Sequence, residues 1–302
     1  MRAGWEERSL LPRALRKTAP MGLLAARMTA FSDDPRGGNP AGVVVGDAFP
    51  PDDVMQQLAK DIGYSETVFL AGHGGAEWKA RYWSPVSEVP FCGHATIAAA
   101  VAVYRQYGAP ELLLDTLAGP VPVAVEEIGG APWATLTSVE PRITEIAPDV
   151  LDRLLALLHL ARADLDPALP PKVAYAGVSH PVVALASRDA LTALDYDFDG
   201  LRALMGERDW TTVQVVWQSS PTQFRARDPF PVGGVVEDPA TGAAAAALGA
   251  YLREIGAIIP PASIEILQGE EIGRPSRIFV AIPREGGIGV TGTAVPIPPE
   301  LA

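Results

Sequence analysis

The sequence predicts an α+β protein of two structurally related domains, each a curved sheet or barrel wrapped around a buried, alanine-rich helix. Three observations lead there. The chain has 302 residues, about twice the ~150 residues usual for one domain. Glycine and proline number 29 each, together roughly a fifth of the chain against about 12% ordinarily, so turns are frequent and strands short. Two segments, 94–104 (HATIAAAVAVY) and 241–252 (TGAAAAALGAYL), have helical character and no charged side chain. A helix without a polar face must be enclosed on every side.

The two segments also resemble each other. At an offset of 147, Gly93, His94 and Ala95 fall on Ala240, Thr241 and Gly242, and Tyr104 meets Tyr251. Each follows a short turn containing proline, EVPFCG and VEDPAT. An internal pseudo-repeat is the economical reading, the other being a chance likeness of alanine runs.

Around these helices the elements fall in order. Strand character appears at 23–31, 66–70, 77–84, 121–126, 133–138, 173–177, 181–186, 212–217, 223–227, 263–267 and 276–282. In 77–84 the alternation of Trp78, Ala80 and Tyr82 with Lys79 and Arg81 suits a half-buried strand. Amphipathic surface helices are expected at 51–62, where Val54, Leu58 and Ile62 follow Pro51, at the leucine-rich 147–162, and at 198–205. Domain boundaries are expected near 118 and 290. That gives an N-terminal domain over 21–118, a C-terminal domain over 119–290, and a flexible extension over 1–20.

Composition removes several classes of function. Lys and Arg total 24 against 36 Asp and Glu, a net charge of −12, whereas nucleic acid and anionic membranes attract basic surfaces. Nothing in the sequence suggests a secretory signal or a membrane span, so a cytoplasmic protein is expected. The single cysteine, Cys92, excludes an internal disulfide and a cysteine cage for zinc. His73, His94, His159 and His180 are scattered, and no metal site is expected. Neither a phosphate-binding GxxxxGK[ST] loop nor a GxGxxG after a strand is present.

Chemistry is expected where the two enclosed helices begin. A helix N-terminus offers unbonded N–H groups and partial positive charge, and glycine there lets a ligand reach the backbone. Gly93 on one side, and Thr241, Gly242 and Ala243 on the other, would form an anion pocket for a small carboxylate if the halves face each other. Glu66, in YSETVFLA, shares a strand face with Tyr64, Val68 and Leu70. Burial there would favour the protonated carboxyl and suit proton transfer; the alternative is an edge glutamate with its head in water. Asp238 precedes Pro239, the pattern of an N-cap followed by proline at the first helical position, although a cap can also relay protons. His94 is either a satisfied structural group or a neutral imidazole ready to exchange a proton. Glu88 would orient it or fix the turn. Cys92 reads as a packing residue, with a reactive thiol as the other reading.

Six blocks then point to a known family: GNPAGVVV (38–45), YSETVFL (64–70), YWSPVSEVPFCGHATIAAA (82–100), GVSHPVVAL (177–185), VEDPATGAAAAALGAYL (236–252) and QGEEIGRPSR (268–277). In residues and order they resemble the PhzF family of phenazine-biosynthesis isomerase-like proteins, similar in fold to diaminopimelate epimerase. The resemblance implies two like domains with the active site in the cleft between them, a closing segment 291–302 that returns to the first domain, and a cofactor-free homodimeric isomerase. It implies that Glu66 moves a proton on a small carboxylate-bearing substrate, with His94 and Asp238 as polar partners and Gly93, Gly242 and Ala243 in contact with substrate. Two departures stand out. Ala243 occupies a position that is often serine, and FRARDPFPVGG carries Asp228 where a small residue is common. Related racemases use two thiols on opposite faces of a carbon, and the second helix start here has none, which excludes that mechanism. A small-molecule binding protein that kept the cleft without the chemistry is the alternative reading, and Cys92 as a lone nucleophile is a third.

Overall fold

A computed structural model describes residues 6–7 and 24–301. Apart from a two-residue strand, β1 (Glu6–Glu7), which pairs antiparallel with Ala25 and Leu24, the extension expected over 1–20 lies outside the described residues. The chain divides into two compact units, one running to Leu136 and resuming at Thr291, the other Thr137–Val290.

The first unit contains β2 (Leu24–Ala30), β3 (Asn39–Gly46), α1 (Asp52–Ile62), β4 (Glu66–Ala71), β5 (Glu77–Trp83), β6 (Glu88–Val89), α2 (Gly93–Tyr107), β7 (Glu111–Thr116), β8 (Gly119–Ile128) and β9 (Ala131–Thr137). β2 and β3 are antiparallel, β3 and β4 parallel, β4 and β5 antiparallel, and β5 and β7 parallel. β7, β8 and β9 then form a meander. The last strand of the chain, β18 (Gly289–Pro296), pairs with β9 and with β2. Eight strands therefore close on themselves around α2. An interior of that width holds little more than side chains, so a helix fits only if its own side chains are small. Every residue from His94 to Val103 is buried, five of them alanine.

The boundary expected near 118 is corrected to Leu136–Thr137. β8 and β9 continue the hydrogen-bonded ladder begun by β7, and a cut at 118 would sever it.

The strand at Asn39–Gly46 carries no alternation that would reveal it, because it is covered on both faces. α2 packs on one side, and Met55, Leu58 and Ala59 of α1 cluster on the other with Val44 and Phe69. A doubly covered strand reads as an unbroken apolar run, here Val43–Val45. α1 is bounded as its residues suggest. Asp52 and Asp53 lie at the positive end, Lys60 at the negative end, and Gly63 closes it at φ 76°.

The second unit contains β10 (Arg142–Glu145), α3 (Pro148–Leu157), β11 (Lys172–Tyr175), β12 (Ser179–Ala184), α4 (Arg188–Thr192), α5 (Phe198–Arg208), β13 (Gln214–Ser220), β14 (Gln223–Pro229), β15 (Glu237–Asp238), α6 (Gly242–Glu254), β16 (Ala262–Gln268) and β17 (Ser276–Ile282). From β11 onward its ladder repeats the first unit's plan: antiparallel, parallel, antiparallel, parallel, antiparallel. α6 is enclosed like α2, with Ala244–Leu252 all buried. A Cβ on Gly249 would come within 2.8 Å of Val280, so glycine there permits the close approach of helix to sheet. α3 ends earlier than its leucine pattern suggests, since His159 adopts φ 54°. Leu151, Leu154 and Leu155 pack with Leu201, Leu204 and Met205 of α5 against Val183 and Val215.

The internal repeat is present, but its offset across the helix starts is 149 and not 147. Glu88–Val89 and Glu237–Asp238 are both two-residue strands, and Gly93 and Gly242 both open helices. EVPFCGHA therefore lies on EDPATGAA.

An imidazole and a carboxyl group are wholly buried in the second unit. His180 places Nδ1 2.9 Å from Thr212 Oγ1, while Nε2 has no hydrogen-bond partner among the described residues. Burial lowers its pKa from 6.5 to about 4. Burial also pushes the carboxyl of Asp228 well above the usual range; the carboxylates of Asp238 and Glu237 add to this, and the hydroxyls of Thr241 and Thr212 oppose it.

Both shifts have consequences for stability. As pH falls below 6.5 the unfolded chain binds a proton at His180 that the folded chain refuses, so stability drops until about pH 4. A depression of that size corresponds to about 3 kcal/mol. His180→Asn is expected to flatten this dependence in urea titrations at pH 7 and 4.5; an unchanged difference would refute it. Asp228 acts in the opposite sense, because above the ordinary carboxyl pKa the unfolded chain gives up a proton that the fold retains. Asp228→Asn is therefore expected to be more stable than wild type at pH 7, with the gain shrinking towards pH 4.

Candidate active site

In the first unit, β4 opens on Glu66, which pairs with Ala41 of β3. Its side chain is 17% exposed and Oε2 lies 3.4 Å from His94 Nε2. The edge-strand reading is thereby removed, since the carboxylate turns towards the helix start and not into open water. His94 is the second residue of α2, with its side chain only 7% exposed. Ser65 Oγ lies 3.5 Å from the same Nε2, and Cys92 Sγ lies 3.3 Å from Nδ1.

Cys92 is the residue before α2, in extended conformation. Its carbonyl accepts hydrogen bonds from the Thr96 amide at 3.0 Å and from Thr96 Oγ1 at 2.7 Å. Thr96 Oγ1 is in turn 2.7 Å from the hydroxyl of buried Tyr82. The turn into the helix is thus fixed from inside the barrel. Sequence reading placed Cys92 among packing residues, but the structure groups it with Glu66 and His94. A C-x-H spacing beside a candidate carboxylate was the available sign.

Glu88 does not touch His94. Its two oxygens take Nε and Nη2 of Arg81 at 2.6 and 2.7 Å, and Arg81 also donates to Asp52 and stacks over Trp83. Glu88 fixes the turn and leaves the imidazole to Glu66.

In the second unit, Asp238 is not the helix cap. Thr241 occupies the N-cap position and α6 begins at Gly242, because Pro239 and Ala240 form a turn after the β14–β15 pairing of Asp228 with Asp238. The Asp238 carboxylate, 7% exposed, accepts a 2.5 Å hydrogen bond from Thr241 Oγ1. Gln268, fully buried and missed by the sequence reading, organises this turn. Its Nε2 donates to Asp238 O at 2.8 Å and to Thr241 Oγ1 at 3.1 Å, and its Oε1 accepts from the Thr241 amide at 3.2 Å. Gly269 follows at φ 78°, where a Cβ would come within 2.6 Å of Pro239 O. Only glycine lets the Gln268 strand end come so close to the turn.

Arg227 bonds Glu237 at 2.8 Å and also donates to Leu194 O at 2.8 Å, the counterpart of Arg81 with Glu88. Both units therefore hold the strand before their enclosed helix by an arginine–glutamate clamp. Burial raises the Glu237 carboxyl and Arg227 opposes the rise.

Each helix start leaves backbone N–H groups without an intrahelical carbonyl, at Gly93 in one unit and at Gly242 and Ala243 in the other. Such groups suit an anion. The first unit adds a carboxylate, an imidazole and a thiol, and the second adds the Asp238–Thr241 pair. Glu66, Cys92 and His94 place one ligand atom each within 4.8 Å of one another; among the described residues they are the group suited to a metal ion.

Comparison with known proteins agrees with the blocks read from the sequence. The profile of the PhzC-PhzF family, described as phenazine biosynthesis-like protein, matches residues 28–298. YfhB of Bacillus subtilis, named an uncharacterized isomerase, is 31% identical over 88% of this chain and 94% of its own length. Trans-2,3-dihydro-3-hydroxyanthranilate isomerase of Pseudomonas fluorescens is 34% identical over 83% of this chain and 87% of its own. The crystal structure of a PhzF-family phenazine biosynthesis protein from Bacillus anthracis covers 92% of this chain and 98% of that one, with a TM-score of 0.80. At 24% identity that last likeness speaks to the fold alone. On a profile match across nearly its whole length and relatives named isomerases, the chain belongs to the PhzC-PhzF family of isomerases.

Proposed function

We propose that the protein shifts a proton between carbons of a small carboxylate-bearing substrate by general acid–base catalysis. Glu66 takes the proton as a carboxylate and returns it as the acid to another carbon on the same face. The charge is then redistributed without net oxidation or reduction. The observation that carries the reading is the 3.4 Å contact between Glu66 Oε2 and His94 Nε2 at the start of an enclosed helix. A carboxylate so held cannot wander, and it lies beside N–H donors that favour an anionic substrate.

In this reading His94 orients Glu66 and steadies charge on the substrate. Asp238, fixed by Thr241 and Gln268, serves the second helix start, where the amides of Gly242 and Ala243 take further substrate contacts. Trans-2,3-dihydro-3-hydroxyanthranilate, the molecule named for a relative, is the first compound to test. Ala243 lacks the hydroxyl often found at its position, so amino-acid and aromatic carboxylates belong in the same panel. A homodimer acting in the cytoplasm completes the proposal, and light scattering tests the first of these.

Glu66→Gln is expected to slow turnover by roughly 10²–10⁴-fold, with its melting temperature and ligand affinity close to wild type. Proton exchange into the substrate in deuterated water, followed by NMR, measures this. Wild-type exchange rates in the variant would remove Glu66 from the role. Tight binding by the wild-type protein with no exchange for any compound would favour the binding-protein reading that Ala243 suggests.

A further inference from the structure

We propose that Glu66, Cys92 and His94 form a binding site for a thiophilic divalent cation, Zn²⁺ foremost, with one coordination position left open. Glu66 is well separated along the chain from the Cys92–His94 pair, and the remaining histidines are scattered. Folding brings carboxylate, thiol and imidazole together, one donor of each kind within 4.8 Å of the others.

The distances fit a tetrahedral ion. Zn–S bonds of about 2.3 Å with Zn–N and Zn–O bonds of about 2.0–2.2 Å set ligand–ligand separations of roughly 3.3–3.6 Å. His94 Nε2 is 3.4 Å from Glu66 Oε2 and 3.9 Å from Cys92 Sγ, and carboxylate and thiol lie within 4.8 Å of each other, so rotation of the Cys92 side chain away from Nδ1, where it stands at 3.3 Å, completes the set. Three protein ligands with a fourth place for water or a ligand is the pattern of open zinc sites. The backbone that carries the thiol is already held through Thr96 and Tyr82, and bracing of this kind supports metal affinity. Glu66 is 17% exposed, which leaves a way in.

The charges also balance. A helix N-terminus repels a bare cation, but the carboxylate and the thiolate contribute two negative charges against the ion's two positive ones. Binding replaces the thiol proton by the metal and releases that proton to solvent. An ion in this position occupies Oε2 of Glu66, so the base of the proposed reaction is blocked while it is bound. The inhibitory consequence rests on the proposed function; the binding does not.

Co²⁺ titration of the full-length protein separates the two. Cys92 is the only cysteine in the chain, so a thiolate-to-cobalt charge-transfer band in the near ultraviolet reports this site and no other. One band-forming Co²⁺ per chain, displaced by equimolar Zn²⁺, is expected. Isothermal titration with Zn²⁺ should show that Cys92→Ser and His94→Ala each weaken binding by about 100-fold or more, at or above the loss usual for a supporting residue. Circular dichroism of the apo variants checks their folding, and a conservative His94→Gln covers the case in which His94→Ala does not fold. Absence of the band, or Zn²⁺ affinity unchanged in Cys92→Ser, overturns the site. A metal that binds as described without slowing substrate proton exchange would leave the site standing and count against Glu66 as the base.

Discussion

The structure depends on one constraint: a helix with no charged or polar face cannot be left against water. α2 buries His94–Val103 and α6 buries Ala244–Leu252 without a break, and only small residues allow strands to surround them so closely. Once the helix is enclosed, its N-terminus is the end at which chemistry is presented, because the unbonded amides must find partners. Everything assigned to the site lies on the turn into such a helix or on a strand end next to it. Enclosure thus fixes the position of the electropositive end, and the surrounding strands decide which side chains meet it.

The internal repeat shows how one scaffold was specialised twice. EVPFCGHA and EDPATGAA correspond residue for residue, and in both the glutamate is clamped by an arginine on the strand paired with its own. Within that shared frame the variable positions carry different chemistry. Val89 corresponds to Asp238, Cys92 to Thr241, and His94 to Ala243. The first helix start therefore receives imidazole and thiol, and the second receives a carboxylate bonded to a hydroxyl. Tyr82 and Asp228, each paired with the second residue of its short strand, differ in the same way. One is an aromatic hydroxyl that braces the turn through Thr96, the other a buried acid whose proton the fold retains.

Much of this was legible in the sequence, for identifiable reasons. Absence of charge marks an enclosed helix as plainly as alternation marks a half-buried strand, so α2 and α6 were readable, and Glu66 and His94 could be named from the blocks that hold them. Strand β3 was not readable as a strand, because two covered faces erase the period of two. The boundary at 118 failed because β7 to β9 pair as one meander whose turns resemble any others. Asp238 was misread as a cap because Asp-Pro starts many helices. Here the proline belongs to a turn that Gln268, 30 residues further on, holds in place, and no local pattern reveals a partner at that distance.

The contrast between Cys92 and Gln268 shows where local reading stops. Cys92 was visible in its motif but its neighbours were not, since a thiol two residues before a histidine packs or reacts according to what the strand opposite provides. That strand provides Glu66, through the parallel pairing of β3 and β4 that sets where Glu66 begins its strand. Gln268 was visible as a residue but had no apparent task, because its task exists only once β16 lies parallel to β14 and Gly269 permits the approach. In both cases the missing information is strand register. Register follows from burial of the whole sheet around its helix, so side chains distant in sequence acquire a function only after that enclosure is complete.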